Sequence, residues 1–383
     1  MTHTTATREL WRADRNYPRN AWYAVATADE VAEQPIGRRL LDTPVALYRT
    51  STGAVAALHD LGAHRPYPLS LGYRDGDLLV SSYDEWAYDP DGTCVRIPTQ
   101  AHIPYHTGVP SYPVREEGGL VWLWVGQSHL AGRHPMHRLP WLDDDACASL
   151  GSTLDIAANY LLLYELLADI SHVPALAPQV TPPVLRDALP PLEVEVTETT
   201  VRFDRRYPAS RLGDWLATAT GLAAGETYEQ HESGTFAGPG LWTDFWQVRA
   251  DRPRTLRFTQ AVTPVGPGTS RLFWRVTRDF ETGSADVTQV LQTGFGQYYQ
   301  TIVSVLATVQ STINADGLGQ QVHVTADAAA LHVRKVIATM LEAELLVAEP
   351  NRWDTFKEHQ IWNPRIPRTP QPPTLRRTPF SLP

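Results

Sequence analysis

The chain has 383 residues, a formal net charge of −9 and 20% charged residues of mixed sign, a globular composition with room for two domains or one large one. No Lys and Arg stripe tracks a nucleic-acid backbone and no apolar run reaches the roughly 18 residues that cross a bilayer, so neither nucleic acid nor membrane is an expected partner. Cys94 and Cys147 fall in no C-x-x-C or C-x-H arrangement, which excludes a disulfide framework and a four-thiolate centre.

The opening stretch, "MTHTTATRELWRADRNYPRN", lacks the apolar middle of a secretory signal, so the expected compartment is the cytoplasm. From about residue 20 to 126, short apolar runs such as "AVALYRT", "AVAALHD" and "LVWLWVG" alternate with turns such as "PDGT" and "EEGG". That pattern predicts a small β-sandwich. Cys94, just after such a turn, is expected in a strand interior.

Next, residues 155–172 carry Leu163, Leu166, Leu167 and Ile170 at helical spacing, and the helix is expected to end near Pro174. Long strand-like segments follow: "LEVEVTETTVRFDRRY", "GLWTDFWQVRADRPRTLRFTQAVTPVG" and "SRLFWRVTRDFE". Two helical segments come after them, "TQVLQTGFGQYYQTIVSVLATVQSTI" and "DAAALHVRKVIATMLEAELL". Strands covered by helices predict an α+β second domain. The Pro- and Arg-rich tail either lacks structure or forms an arm over the body.

Four stretches, "NAWYAVATADEVAEQPIGRRLLDTPVALYRTSTGAVAALHD", "HRPYPLSLGYRDGD", "YPVREEGGLVWLWVG" and "NYLLLYELLADISHVP", occur in this order. They resemble the oxygenase (alpha) subunits of Rieske non-heme iron enzymes, especially the aromatic O-demethylase branch, over most of residues 18 to 348. The resemblance implies the Rieske oxygenase fold: an N-terminal extension (1–17), a Rieske-like β-rich domain (18–135), a catalytic-type α+β domain (136–348) and a C-terminal arm (349–383). The α+β domain would be a helix-grip-like antiparallel sheet with covering helices around a substrate cavity.

In that family two cysteines and two histidines, spaced C-x-H and C-x-x-H, hold an iron–sulfur centre. The matching positions here are Gly62, His64, Ser81 and Asp84, of which only His64 is a family ligand. The family's mononuclear iron takes two histidines and a carboxylate. "ADISHVPALA" supplies Asp169 and His172, but Ala177 stands at the second histidine position, and residues 287–315 contain no Asp or Glu. The expectation is therefore degenerate metal sites, no metal ligand set and no cofactor. In a family-type homotrimer Asp169 would face the counterpart of a cluster histidine, Asp84, and two facing carboxylates call for a shared proton or an intervening Arg.

Without iron, His172 is expected to act as a general acid or base near neutral pH, with Asp169 and Glu165 as catalytic partners. The alternative for His172 is a hydrogen bond to a buried neighbour, and for Glu165, Tyr164 and Asn159 a cap or interhelix bond. Expected substrate contacts are Asn159, Tyr164, Ala177, His231 of "YEQHESG", and the alternating Trp242, Asp244 and Trp246, an aromatic wall with one carboxylate. The function this predicts is a metal-independent, redox-neutral cyclase of a bulky apolar, polyketide-like intermediate, by cycloaddition or acid/base-assisted ring closure. Alternatives are a non-catalytic partner subunit of an intact oxygenase, or a hydrolase or dehydratase using the vacated cavity.

Overall fold

In chain order the first ten strands are β1 (Trp22–Thr27), β2 (Ile36–Leu40), β3 (Thr43–Arg49), β4 (Val55–His59), β5 (Tyr73–Asp75), β6 (Leu78–Val80), β7 (Ala87–Tyr88), β8 (Cys94–Arg96), β9 (Val114–Glu117) and β10 (Leu120–Trp124). They form three antiparallel sheets, β1-β10-β9, β2-β3-β4 and β5-β6-β7-β8. The computed structural model describes residues 17–346 except 135, 187, 188 and 191. The expected C-terminal arm and all but the last residue of the expected N-terminal extension lie outside the described residues.

β10, "LVWLW", is buried on both faces, which is why it reads as a continuous apolar run rather than an alternation. Its Trp124 meets Trp22 of β1 edge to face at 5.6 Å. Cys94 is buried, but it opens the three-residue strand β8 rather than lying in a strand interior.

The remaining strands are β11 (Ala148–Ile156), β12 (Glu193–Val196), β13 (Val201–Arg211), β14 (Thr227–Phe236), β15 (Leu241–Arg249), β16 (Arg254–Gly266) and β17 (Thr269–Arg278). They form one seven-stranded antiparallel sheet in the order β11-β17-β16-β15-β14-β13-β12. Over β13, Val201, Phe203, Arg205 and Tyr207 are buried while Arg202, Arg206 and Pro208 are exposed, the alternation of a sheet with one covered face. The cover includes α1 (Tyr160–Ala168), α2 (Val173–Leu176), α3 (Asp214–Thr220), α4 (Ala285–Asp316) and α5 (Ala328–Leu346). The indole of Trp274 on β17 stacks on Tyr299 of α4 at 4.6 Å, joining sheet to helix. The expected fold class is borne out.

The helix predicted over 155–172 differs from the observed one. Residues up to Ile156 complete β11, and Asn159 starts α1 by accepting a hydrogen bond from the Leu161 amide at 2.9 Å. At Asp169 the backbone leaves helical geometry (φ −125°, ψ 105°). Its carboxylate accepts from the Ser171 amide at 2.9 Å and the Ser171 hydroxyl at 2.8 Å, capping a new 3₁₀ turn, Ile170–His172. Pro174 then sits in the first turn of α2, where a missing N–H leaves no bond unmade. The proline belongs to the start of a helix, not the end of one. Asp169 and His172 consequently do not share a continuous helix.

Candidate functional site

Strand alternation puts Trp242, Asp244 and Trp246 of β15 on one face. Asp244 Oδ1 accepts from Trp242 Nε1 at 2.7 Å, and Oδ2 accepts from Gln260 Nε2 of β16 at 2.8 Å. Gly234 of β14 lies opposite Asp244 in the sheet. A Cβ at Gly234 would run into the Phe203 ring and come within 2.7 Å of Asp244 Oδ1, so only glycine leaves this carboxyl its place.

Above this face lies a cavity of about 130 Å³. Its floor includes Glu232, Asp244, Trp246, Leu256, Phe258 and Gln260 of the sheet. Leu166 and Leu167 of α1, Ile170, Val173, and Phe295, Tyr298 and Tyr299 of α4 close over it, with Trp215 of α3 at the side. That volume is near the roughly 150 Å³ of an engineered apolar cavity known to take benzene, so it matches one aromatic ring rather than a bulky polycycle.

Burial in this apolar setting pushes the Asp244 carboxyl up to about 8, and the charge of Glu232 adds to the shift. Glu232 is also raised by burial. It accepts from the Tyr207 hydroxyl at 2.6 Å and from Arg205 Nη1 at 3.3 Å, with Arg205 itself almost fully buried. Gln260 Oε1 and Trp246 Nε1 are buried atoms without a hydrogen-bond partner among the described residues.

His172 stands behind the cavity wall. Nδ1 donates to the Asp169 carbonyl at 2.7 Å, which leaves Nε2 as the acceptor for the Tyr298 hydroxyl at 3.0 Å. Burial holds the imidazole below its ordinary value, in keeping with this neutral tautomer. Through Tyr298, a cavity residue, His172 is joined to the site without lining it.

The other residues singled out in the sequence are placed elsewhere. Glu165 forms an ion pair with Arg334 of α5 and, with Asp169, borders a separate polar pocket that includes His323 and Asp327. Asn159 caps α1 and donates to the Pro267 carbonyl at 2.8 Å. Tyr164 is buried and donates to the Pro239 carbonyl at 2.8 Å. His231 Nε2 pairs with Asp204 at 2.8 Å, on the face of β14 opposite Glu232 and Gln230. Ala177 is buried and, like Asn159, Tyr164 and His231, is not among the residues lining the cavity. Trp242 touches it only through Asp244. Sequence reasoning missed Gln260, Phe258 and the α4 aromatics; "FGQYY" carries Phe295, Tyr298 and Tyr299 at i, i+3 and i+4, a one-face spacing that could have found them.

In the N-terminal domain, His64 Nδ1 meets Asp84 Oδ2 at 3.0 Å and its ring stacks on Trp86 at 5.0 Å. Gly62 donates its amide to the Tyr67 carbonyl at 2.9 Å, and a Cβ there would lie 2.9 Å from the Arg65 carbonyl oxygen. Ser81 is buried.

Residues 21–113 match the Rieske [2Fe-2S] domain, and residues 156–343 match the vanillate O-demethylase oxygenase C-terminal domain. The vanillate O-demethylase oxygenase subunit of Pseudomonas sp. (strain HR199 / DSM 7063) is 28% identical over 349 residues, which cover 87% of this chain and 97% of that one. The oxygenase component of dicamba O-demethylase from Stenotrophomonas maltophilia is 38% identical over 157 residues, 41% of this chain and 46% of that one. The crystal structure of dicamba monooxygenase bound to 3,6-dichlorosalicylic acid superposes with a TM-score of 0.79 at 26% identity, covering 86% of this chain and 99% of that one. With both domains matched and the fold shared over 86% of the chain, the chain belongs to the family of Rieske oxygenase alpha subunits. Within it, the chain is vanillate O-demethylase-like.

These matches correct the expected function. They are to oxygenase components of O-demethylase and monooxygenase systems, and nothing in them supports a cyclase, a polyketide substrate or specialised metabolism. The alternatives of a non-catalytic partner subunit, a hydrolase or a dehydratase are overturned by the same matches.

Membership of the family implies a [2Fe-2S] cluster and a non-heme iron. Among the described residues no three His, Cys, Asp or Glu side chains are grouped to hold a metal ion. Cys94 opens β8 of one sheet and Cys147 directly precedes β11 of another, and both ring nitrogens of His172 already have partners. No helix of the described residues is long and apolar enough to cross a membrane.

Proposed function

We propose that this vanillate O-demethylase-like alpha subunit receives a small aromatic molecule in the cavity between the large sheet and helices α1 and α4, and that both of its metal sites are degenerate. The observation carrying the first part is the ring-sized cavity walled by Trp246, Phe258, Phe295, Tyr298 and Tyr299, with the Asp244 carboxyl and Gln260 in its floor. Relatives named for vanillate, dicamba, toluene-4-sulfonate and chloroacetanilide, all aromatic, support it. The donor sets at Gly62, His64, Ser81 and Asp84, and at His172 and Ala177, support the second part.

The geometry supports a role for each of the site residues in this reading. Asp244 and Gln260 orient the polar group of the ligand, Trp246 and the α4 aromatics hold its ring, and Tyr298 is kept in place by His172. A homotrimer of the family type is part of the same proposal.

The test combines two measurements on the purified protein. Tryptophan fluorescence titrated with single-ring methoxyarenes should show saturable binding, lost on substitution of Phe295 by a polar residue. Iron and acid-labile sulfide, assayed after anaerobic reconstitution, should stay far below stoichiometric. Stoichiometric iron with reductase-dependent oxygen uptake would overturn the degenerate-site reading; failure of every aromatic to bind would overturn the cavity reading.

A further inference from the structure

We propose that this cavity selects an uncharged aromatic and rejects the same ring carrying a carboxylate. The inference rests on the reading above that the cavity takes an aromatic molecule, and adds the polarity of its substituent.

No Lys, Arg or His is among the described residues lining the cavity, while two carboxyl side chains, Glu232 and Asp244, are. Arg205, which does not line the cavity, is committed to Glu232 at 3.3 Å, with both partners about nine-tenths buried or more, and Arg257 lies over the Trp141 and Phe245 rings at 5.3 and 5.2 Å. His172 reaches the wall only through Tyr298, and its hydrogen-bond pattern is that of a neutral imidazole. A carboxylate entering this space would shed its water, face Asp244, and find no counter-charge.

An ammonium fares little better, because it requires Asp244 to ionise inside an apolar enclosure where burial favours the protonated form. A neutral carboxamide or hydroxyl meets what the floor offers. The protonated Asp244 carboxyl can donate, and Gln260, 2% exposed, keeps an Oε1 without a partner among the described residues. An amide ligand both accepts and donates, so it matches both groups without bringing a charge.

The experiment compares four probes on one ring by calorimetry at pH 7 with the full-length protein: 4-methoxybenzamide, 4-methoxybenzoate, 4-methoxybenzylamine and 4-methylanisole. The benzamide should bind at least about tenfold more tightly than either charged probe. Asp244→Asn should narrow the benzamide-to-benzoate ratio several-fold. Gln260→Met, a second variant if that one fails to fold, should shrink the preference for the benzamide over 4-methylanisole. Benzoate or benzylamine binding as tightly as the benzamide, or 4-methylanisole binding while the benzamide does not, overturns the selection and leaves the aromatic cavity standing. If none of the four binds, the cavity reading falls and the selection with it.

Discussion

Tyr298 of α4 donates its hydroxyl to Nε2 of His172 at 3.0 Å, and the two rings lie nearly parallel, 8° apart. The imidazole is thereby fixed in one tautomer by two partners, a main-chain carbonyl and a phenol. Removing the phenol hydroxyl leaves a half-buried acceptor without its donor. We expect Tyr298→Phe to cost about 1 to 2 kcal/mol in denaturant unfolding. The donor stabilises the neutral ring, so its loss should also raise the His172 pKa, readable as a shift of its C2 proton in an NMR titration. An unchanged titration would show that the hydrogen bond does not control the ring.

Asp244 gives a pH dependence of definite sign. Its folded-state pKa of about 8 lies far above the ordinary carboxylate value of 3.8, so between these limits the folded protein holds a proton that the unfolded chain has lost. Stability from this group is fully present below the unfolded value and declines as pH rises through the folded one. Glu232, raised as well, acts in the same direction, while Arg205, Tyr207, Tyr298 and His172 are the other titratable or charged groups nearby. Asp244→Asn isolates its share: the stability of wild type relative to this variant should fall steadily from about pH 5 to about pH 8 and then level off. A flat difference across that range would mean the carboxyl is ionised in the folded state.

Gly234 faces the same carboxyl across the sheet. Gly234→Ala should destabilise the fold by about 1 to 3 kcal/mol, the usual range for forced overpacking, because the new methyl meets Phe203 and Asp244 Oδ1. Since the clash displaces Asp244, aromatic binding should weaken as well. Thermal unfolding and a fluorescence titration on one sample would separate the two effects.

Glu165 is an ion-pair residue in this fold, and its partner Arg334 is almost fully buried. Arg334→Met strands a largely buried carboxylate and should cost about 3 kcal/mol or more, whereas the double variant Glu165→Met/Arg334→Met should recover most of that loss. Ligand binding should change little in the double variant, because neither residue lines the aromatic cavity. A double variant no better than the single would remove the pairing argument.

Much of the site was legible in strand alternation. The period of two in "LWTDFWQV" is enough to set Trp242, Asp244 and Trp246 on one face, and they are found there. The segment leading to His172 is less legible. Leucines at helical spacing continue past Ala168, but periodicity does not register that the Asp169 side chain captures the Ser171 amide and breaks the helix. Nor does it register that Pro174 begins the next one.

The sequence by itself determined the fold class and the supply of metal-binding side chains, since strand and helix periods are local and a Gly or Ala has no ligand to give. Only the tertiary structure decided which polar residues meet. Asp244 reaches Gln260 across a strand pair, His172 reaches Tyr298 across 126 positions, and Glu165 reaches Arg334 across 169. Those pairings depend on how sheet and helices pack, so the chemistry of the cavity is set by contacts between distant segments rather than by any one of them.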